Sequence, residues 1–246
     1  MIDLHCHFLP IDDGASSLEE ALQLARIAVS NGITHSVMTP HIHPGRYEND
    51  ILNIATAYNE FKHQLHKAGI PLKIAMGAEM RISIEMIAML EKGYVPFVGE
   101  KDGYRILLLE FPHSHILPGT DKIIQLLLRK KIRPLIAHPE RNKDVLRNFD
   151  KIRPFIDQGC FLQVTAGAVA GRFGEPAQHR AIQLLENGWV QVLASDAHDA
   201  KYRYPDLSEG MNAAAAVVGQ DAAKKLVIDN PWAIAGAQFE MAQHAS

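Results

Sequence analysis

Short apolar runs alternate along this chain with longer stretches whose apolar residues recur every three or four positions. Seven runs read as strands: residues 1–4, 33–38, 72–76, 105–109, 132–137, 161–164 and 190–194. Between the first two, Leu18, Ala21, Leu22, Ala25 and Val29 share one face of a helix. Ser16 with Glu19, or Ser17 with Glu20, offers that helix a capping box, and Gly32 lies just past its end. Residues 49–68 end the same way at Gly69 and Pro71, 143–158 precede Gly159, and 176–187 precede Gly188. Residues 93–103 read as a loop or short hairpin. From Asp206 onward the tail reads as helical, with an apolar run at 213–218 that suits a packing helix more readily than a subunit interface, a break near Gly219, and Pro231 opening a last helix. Strands alternating with helices predict an α/β fold of parallel strands.

The length of 246 residues suits a single domain spanning 1–246, and an α/β barrel commonly needs about 250. An apolar fraction of 47% supports a sizeable core. A net charge of −3 argues against a nucleic-acid binder, which carries a basic excess. Cys6 and Cys160 make no disulfide framework and suit a reducing compartment. No run reaches the roughly 18 apolar residues of a membrane span. The first seven residues lack a basic stretch and an apolar h-region, so no cleaved signal peptide is expected. The expected location is the cytoplasm, without membrane insertion.

Thirteen histidines are many for this length, and their placement sharpens the picture. His5-x-His7 closes the first run, followed by Asp12-Asp13. Thr39-Pro40-His41 and His43 follow the second run, Gly77-Ala78-Glu79 the third and Glu110-Phe111-Pro112 the fourth. His138-Pro139-Glu140-Arg141 follows the fifth and Ser195-Asp196-Ala197-His198 the seventh. In a barrel of parallel strands all these ends face one mouth, where such folds do chemistry. Any one of these residues alone reads as a helix cap or surface group; six strand ends together read as a multi-metal site. Mixed imidazole and carboxylate without usable cysteine suits Mn²⁺, Fe²⁺ or Zn²⁺. Nine ligands are too many for one ion, so two or three ions are expected. Closely spaced ions are a device for phosphoryl and acyl hydrolysis.

Arg141 and Arg203 lie on loops at that mouth, where a guanidinium fork suits phosphate. For Arg46 and Arg172 a solvated loop charge is the simpler reading. His113-x-His115 reads as surface or substrate-facing. A cysteine phosphatase needs C-x5-R, but that spacing from Cys6 and Cys160 lands on Asp12 and Ala166, which excludes it. Neither a P-loop nor a G-x-G-x-x-G fingerprint is present.

These motifs, with Asp12-Asp13-Gly14 and the late Asp229-Asn230-Pro231, resemble the PHP (polymerase and histidinol phosphatase) superfamily. Within it they are most similar to bacterial metal-dependent protein tyrosine phosphatases of capsule and exopolysaccharide systems. The resemblance implies a distorted TIM-like (β/α)7 barrel with a trinuclear centre, most often of Mn²⁺. One ion would lie on His5, His7, Glu79 and Asp196, a second on Glu79, Glu110 and His138, and a third on Asp13, His41 and His198. Arg141 and Arg203 match arginines that orient the phosphate, and a metal-bound water, Asp13 or His198 is a candidate to protonate the leaving oxygen. The implied substrate is the phosphotyrosine tail of a bacterial tyrosine kinase, with Tyr47, Phe173 and Tyr202 as candidate flanking residues. Two other readings stay open: a small-molecule phosphatase acting on histidinol phosphate or a sugar phosphate, and a non-catalytic metal-binding module of a polysaccharide-assembly complex. Oligomeric state is left undetermined.

Overall fold

A computed structural model describes residues 1–244, the last four by their backbone alone. Its strands are β1 (Ile2–Cys6), β2 (His35–Met38), β3 (His41–Ile42), β4 (Lys73–Met76), β5 (Glu79–Arg81), β6 (Gly99–Lys101), β7 (Tyr104–Glu110), β8 (Ile132–Ala137), β9 (Phe161–Thr165) and β10 (Val192–Ala194). Its helices are α1 (Leu18–Ser30), α2 (Ile51–Lys67), α3 (Glu85–Glu91), α4 (Thr120–Arg129), α5 (Lys143–Arg147), α6 (Arg153–Asp157), α7 (Ala166–Val169), α8 (Glu175–Glu186), α9 (Ser208–Val218), α10 (Gln220–Val227) and α11 (Asp229–His244).

The seven expected strands are present, and two of them resume after a break as short strands beyond the expected runs. Thr39-Pro40 separates β2 from β3, and Gly77-Ala78 separates β4 from β5. The two breaks lie side by side, since β2 pairs with β4 and β3 with β5, all parallel. The ladder then runs β5–β7–β8–β9–β10, also parallel. It closes on β1 through a bridge between Cys6 and Ala197 and two bonds, from Asp196 N to His5 O (2.8 Å) and from His7 N to Ala197 O (2.9 Å). The result is a distorted parallel barrel of seven strand units.

The barrel's interior and its helical jacket form separate apolar clusters. The interior holds Ile2, Leu4, Val37, Ala75, Ile106, Leu108, Leu135, Ala137, Val192 and Ala194, with Ile234, Ala235 and Phe239 of α11. Side chains alternate across a strand, so the inward sets Ile106–Leu108 and Val192–Ala194 carry Glu110 and Asp196 onto the top layer. α11 packs against β1, β4 and β6. The hairpin partner β6, antiparallel to β7, lies where β4 has parted from it. Gly99 makes this contact possible, because a Cβ there would stand 2.0 Å from the Ile234 carbonyl.

One expected helix, 143–158, is three pieces. Asn148 leaves helical geometry and accepts a bond from Asp150 N at 3.0 Å, and Pro154 fits only the first turn of a new helix. At α1, Ser17 caps Glu20 N (3.2 Å), but the Glu20 carboxylate bonds Ser16 rather than closing the box on Ser17.

Candidate metal centre and anion-binding cleft

A β-bulge sets the first two ligands. Between Asp3 and Cys6, three residue steps of β1 oppose two of β2. A bulge shifts the side-chain alternation by one, so His5 and His7 follow Ile2 and Leu4 onto the interior side, and Cys6 joins the outer cluster. His5 therefore lies inside the strand, not beyond it. The chain then turns so closely at Gly14 that a Cβ would stand 2.0 Å from His7 O.

Hydrogen bonds fix the imidazoles. His5 Nδ1 donates to Gln163 Oε1 (2.9 Å), His7 Nδ1 to Asp12 Oδ2 (2.7 Å) and His198 Nδ1 to the Asp196 carbonyl (3.0 Å). Each ring then presents its Nε2 lone pair to the barrel axis. His5 and His7 Nε2 face each other at 3.1 Å. Glu79 Oε2 stands 3.1 and 3.3 Å from them, and Asp196 Oδ1 3.3 and 3.5 Å. Around this focus, His138 Nε2 lies 2.9 Å from Glu79 Oε1 and His41 Nδ1 3.0 Å from Glu79 Oε2. Asp13 Oδ1 lies 3.3 Å from His41 Nε2 and 3.6 Å from His198 Nε2.

This donor set fits divalent cations. Glu79 Oε2 and His41 Nδ1 are buried and find no hydrogen-bond partner although they nearly touch. Buried nitrogen and carboxylate oxygen crowded this closely need positive charge between them, from a metal ion or from protons on the imidazoles. Four groupings have ligand atoms close enough to share an ion: His7, Asp13, His41, His198; His5, His7, Asp196; His5, Glu79, His138; and His41, Glu79, Glu110. All nine expected ligands fall in these groupings. The division differs from the expected one in that His7 joins Asp13's group, and Glu110 pairs with His41 and Glu79 apart from His138.

The charges agree. Burial opposes protonation of His5, but Glu79 and Asp196 outweigh it and hold its pKa above the usual range. Burial likewise opposes, and Asp12 mainly reverses, for His7. His41 is lifted to about 10, Glu79 overcoming burial. Burial, then Arg141, pulls His138 down to about 4; burial, then His7, pulls His198 down to about 3. Burial works against Asp13, but His41 and His198 hold its carboxyl well below the carboxylate range. At neutral pH Asp13 is therefore a carboxylate and His198 a neutral imidazole with its proton on Nδ1, and both leave lone pairs free for ligation.

Arg141 and Arg203 converge on one oxygen. Arg141 Nη2 donates to Asp196 Oδ2, and so does Arg203 Nη2 at 2.7 Å. Both Nε groups are buried without a partner. His138 and Asp196, at the ends of β8 and β10, adopt left-handed backbone (φ 35° and 51°), a conformation costly outside glycine and concentrated at functional sites.

These groups floor a cleft of about 260 Å³. Its walls include Arg46, Tyr47, His43, Arg81, His113 and Phe173. Arg46, expected to be a free loop charge, stands on the rim over the Tyr47 ring, 4.9 Å from its centre, and 3.7 Å from Asp13. Tyr47 stacks on His41 (5.4 Å, 8°). Tyr202 is 72% exposed and does not line the cleft. The sequence reading missed Gln163 and Arg81, the latter paired with Glu110 at 2.5 Å. Gln163 had a signal: it is a long polar side chain inside the apolar run 161–164, expected to be a buried strand.

A parallel seven-unit barrel with imidazoles and carboxylates gathered at its C-terminal mouth, beneath paired arginines, defines the class of this protein: an α/β barrel built for metal-site chemistry. The model for the capsular polysaccharide synthesis family CpsB/CapC matches residues 1–235, and the chain belongs to that family. It is 34% identical over 204 residues to the tyrosine-protein phosphatase YwqE of Bacillus subtilis, covering 82% of this chain and 79% of that one. It is 32% identical over 241 residues to the tyrosine-protein phosphatase CpsB of Streptococcus pneumoniae, covering 94% and 96%. A crystal structure from work on YwqE and CpsB, described there as unique metal-dependent tyrosine phosphatases, superposes with TM-score 0.88 at 31% identity, covering 94% of this chain and 93% of that one. A β-aspartyl dipeptidase from Fervidobacterium islandicum, 15% identical with TM-score 0.57, shares the fold alone.

Proposed function

We propose that this chain, as a single domain over 1–246, is a metal-dependent protein tyrosine phosphatase acting in the cytoplasm on the phosphotyrosine tail of a tyrosine kinase that governs capsular or exopolysaccharide synthesis. The observation that carries this reading is the pair of guanidiniums, Arg141 and Arg203, meeting on Asp196 with unpartnered donors left over, directly beside the lone-pair focus. Two arginine forks over a cation site suit a phosphoryl dianion. No helix among the described residues is long and apolar enough to cross a membrane.

In this reading His5, His7, Asp13, His41, Glu79, Glu110, His138, Asp196 and His198 hold two or three divalent ions, most suitably Mn²⁺. Bound there, such ions supply Lewis-acid stabilisation of phosphoryl oxygens and acidify a water. The protein's own part is orientation. Gln163, Asp12 and the Asp196 carbonyl hold three imidazoles in the Nδ1–H tautomer. Arg141 and Arg203, anchored by Asp196, turn their remaining donors to the phosphoryl oxygens and align the ester. The tyrosine phenolate, with a pKa of about 10, leaves with little help from an acid. A water acidified at the centre, or Asp13 or His198 beside it, would be the source of the proton that the leaving oxygen takes up.

The test is metal-stripped protein given Mn²⁺ and assayed on a phosphotyrosine peptide beside histidinol phosphate. Release restored by metal on the peptide supports the reading. Activity on histidinol phosphate alone, or silence on both with metal bound, overturns it.

A further inference from the structure

Arg172, read from the sequence as a solvated charge, is a tie between loops. Its Nη2 donates to Asp206 Oδ2 at 2.6 Å and to Glu209 Oε2 at 2.5 Å, its Nε donates to Glu209 Oε2 at 2.8 Å, and its guanidinium lies 4.4 Å over the Tyr204 ring. The two ends of this tie lead to the two arginines of the cleft. On one side, the next residue, Phe173, lies against the guanidinium of Arg141, 4.7 Å from its carbon. On the other, Tyr204 and Asp206 belong to the segment that carries Arg203. Asp206 Oδ1 accepts from Ser208 Oγ (3.0 Å) and Glu209 N (3.1 Å), which anchors that segment to the start of α9. Asp199 accepts from Lys201 N (2.8 Å) and Tyr202 N (2.5 Å), which shapes its other end.

We infer that Arg172 is a positioning residue: acting through Phe173 and the 199–206 segment, it sets the spacing of Arg141 and Arg203 and so tunes the cleft for a tetrahedral oxyanion. The inference rests on the proposed phosphatase reading. Arg172 itself lies outside the cleft lining. Among the described residues no other ion pair joins the 171–174 turn to α9, and two carboxylates on one guanidinium form a network, which is worth more than an isolated surface pair. Two arginines that must meet one phosphoryl group are sensitive to misplacement by a fraction of their hydrogen-bond length.

The experiment compares wild type, Arg172→Gln and Arg172→Lys, all loaded with Mn²⁺. It reads the inhibition constant of inorganic phosphate, KM and kcat on a phosphotyrosine peptide, metal affinity and Tm. The expected result for Arg172→Gln is a weakening of phosphate inhibition by about tenfold, within what misplacement of a binding group costs. KM rises in parallel, metal affinity is kept, and Arg172→Lys recovers part of the loss. A second variant, Glu209→Gln, leaves Asp206 in place and should give a smaller shift in the same direction. A lower Tm with unchanged phosphate inhibition would make Arg172 merely structural and overturn the inference, as would equal loss in the Lys variant. A wild type without phosphatase activity or phosphate binding would instead be the failure of the underlying reading.

Discussion

Replacing Arg141 separates its two tasks. In the structure Arg141 spends one Nη2 donor on Asp196 Oδ2 and keeps a buried Nε with no partner. Lysine at this position keeps the charge but offers a single ammonium, which cannot serve both Asp196 and a phosphoryl oxygen from one place. The loss is one hydrogen bond to a charged group, about 1.5–3 kcal/mol. At 1.4 kcal/mol per factor of ten, kcat/KM on a phosphotyrosine peptide should fall about 10- to 150-fold in Arg141→Lys. Arg141→Ala goes further, since it also leaves buried Asp196 with Arg203 as its one guanidinium partner. Breaking a buried pair costs about 3–5 kcal/mol of stability, so this variant should both lose turnover and melt earlier. Steady-state kinetics at saturating Mn²⁺, with bound metal measured on the same samples, give the answer. An Arg141→Lys enzyme with full kcat/KM would refute the phosphate-fork assignment. Loss of activity in proportion to lost metal would refute it as well, because Arg141 would then be supporting the metal centre and not the substrate.

Three further expectations concern the rest of the molecule. Glu140 is fully buried, burial lifts its pKa to about 7 against Arg141's opposing charge, and one carboxylate oxygen has no partner. The folded protein therefore keeps a proton that the unfolded chain releases between pH about 4.5 and 7, and this contribution fades as pH rises through that window. Relative to wild type, Glu140→Gln should gain about 3 kcal/mol on going from the bottom of the window to the top. Chemical denaturation at several pH values measures this, and parallel stability profiles would disprove it. Chelation of the metal should lower Tm by about 5–10 °C, since a ligand at a hundred times its Kd contributes about 2.7 kcal/mol; an unchanged melting curve would count against a metal centre. Burial pushes the Cys6 thiol up and the Cys160 thiol up to about 12. Neither should react with a thiol reagent in the native protein, and iodoacetamide should leave activity intact; stoichiometric labelling of the folded enzyme would contradict this.

Much of this protein is written in local sequence. Strand and helix periods are set by the backbone, so the seven strand units and the helices after Leu18, Ile51 and Glu175 are legible from apolar spacing alone. The gathering of candidate ligands is legible for the same reason: parallel strands put all their C-terminal ends on one face, so chain order reveals spatial grouping. What tertiary structure decided are matters of register and of contact between distant residues. The bulge in β1 exists only against β2, yet it turns His5 and His7 inward. The breaks at Thr39-Pro40 and Gly77-Ala78 are matched across a pairing that local spacing does not encode. Gln163 reaches His5 across 158 positions, and Arg172 reaches Asp206 across 34. Which nitrogen of each histidine faces the centre, and which arginines share Asp196, follow from those long-range bonds, because a lone pair's direction is set by the partner of the opposite ring atom and not by the residue's neighbours in the chain.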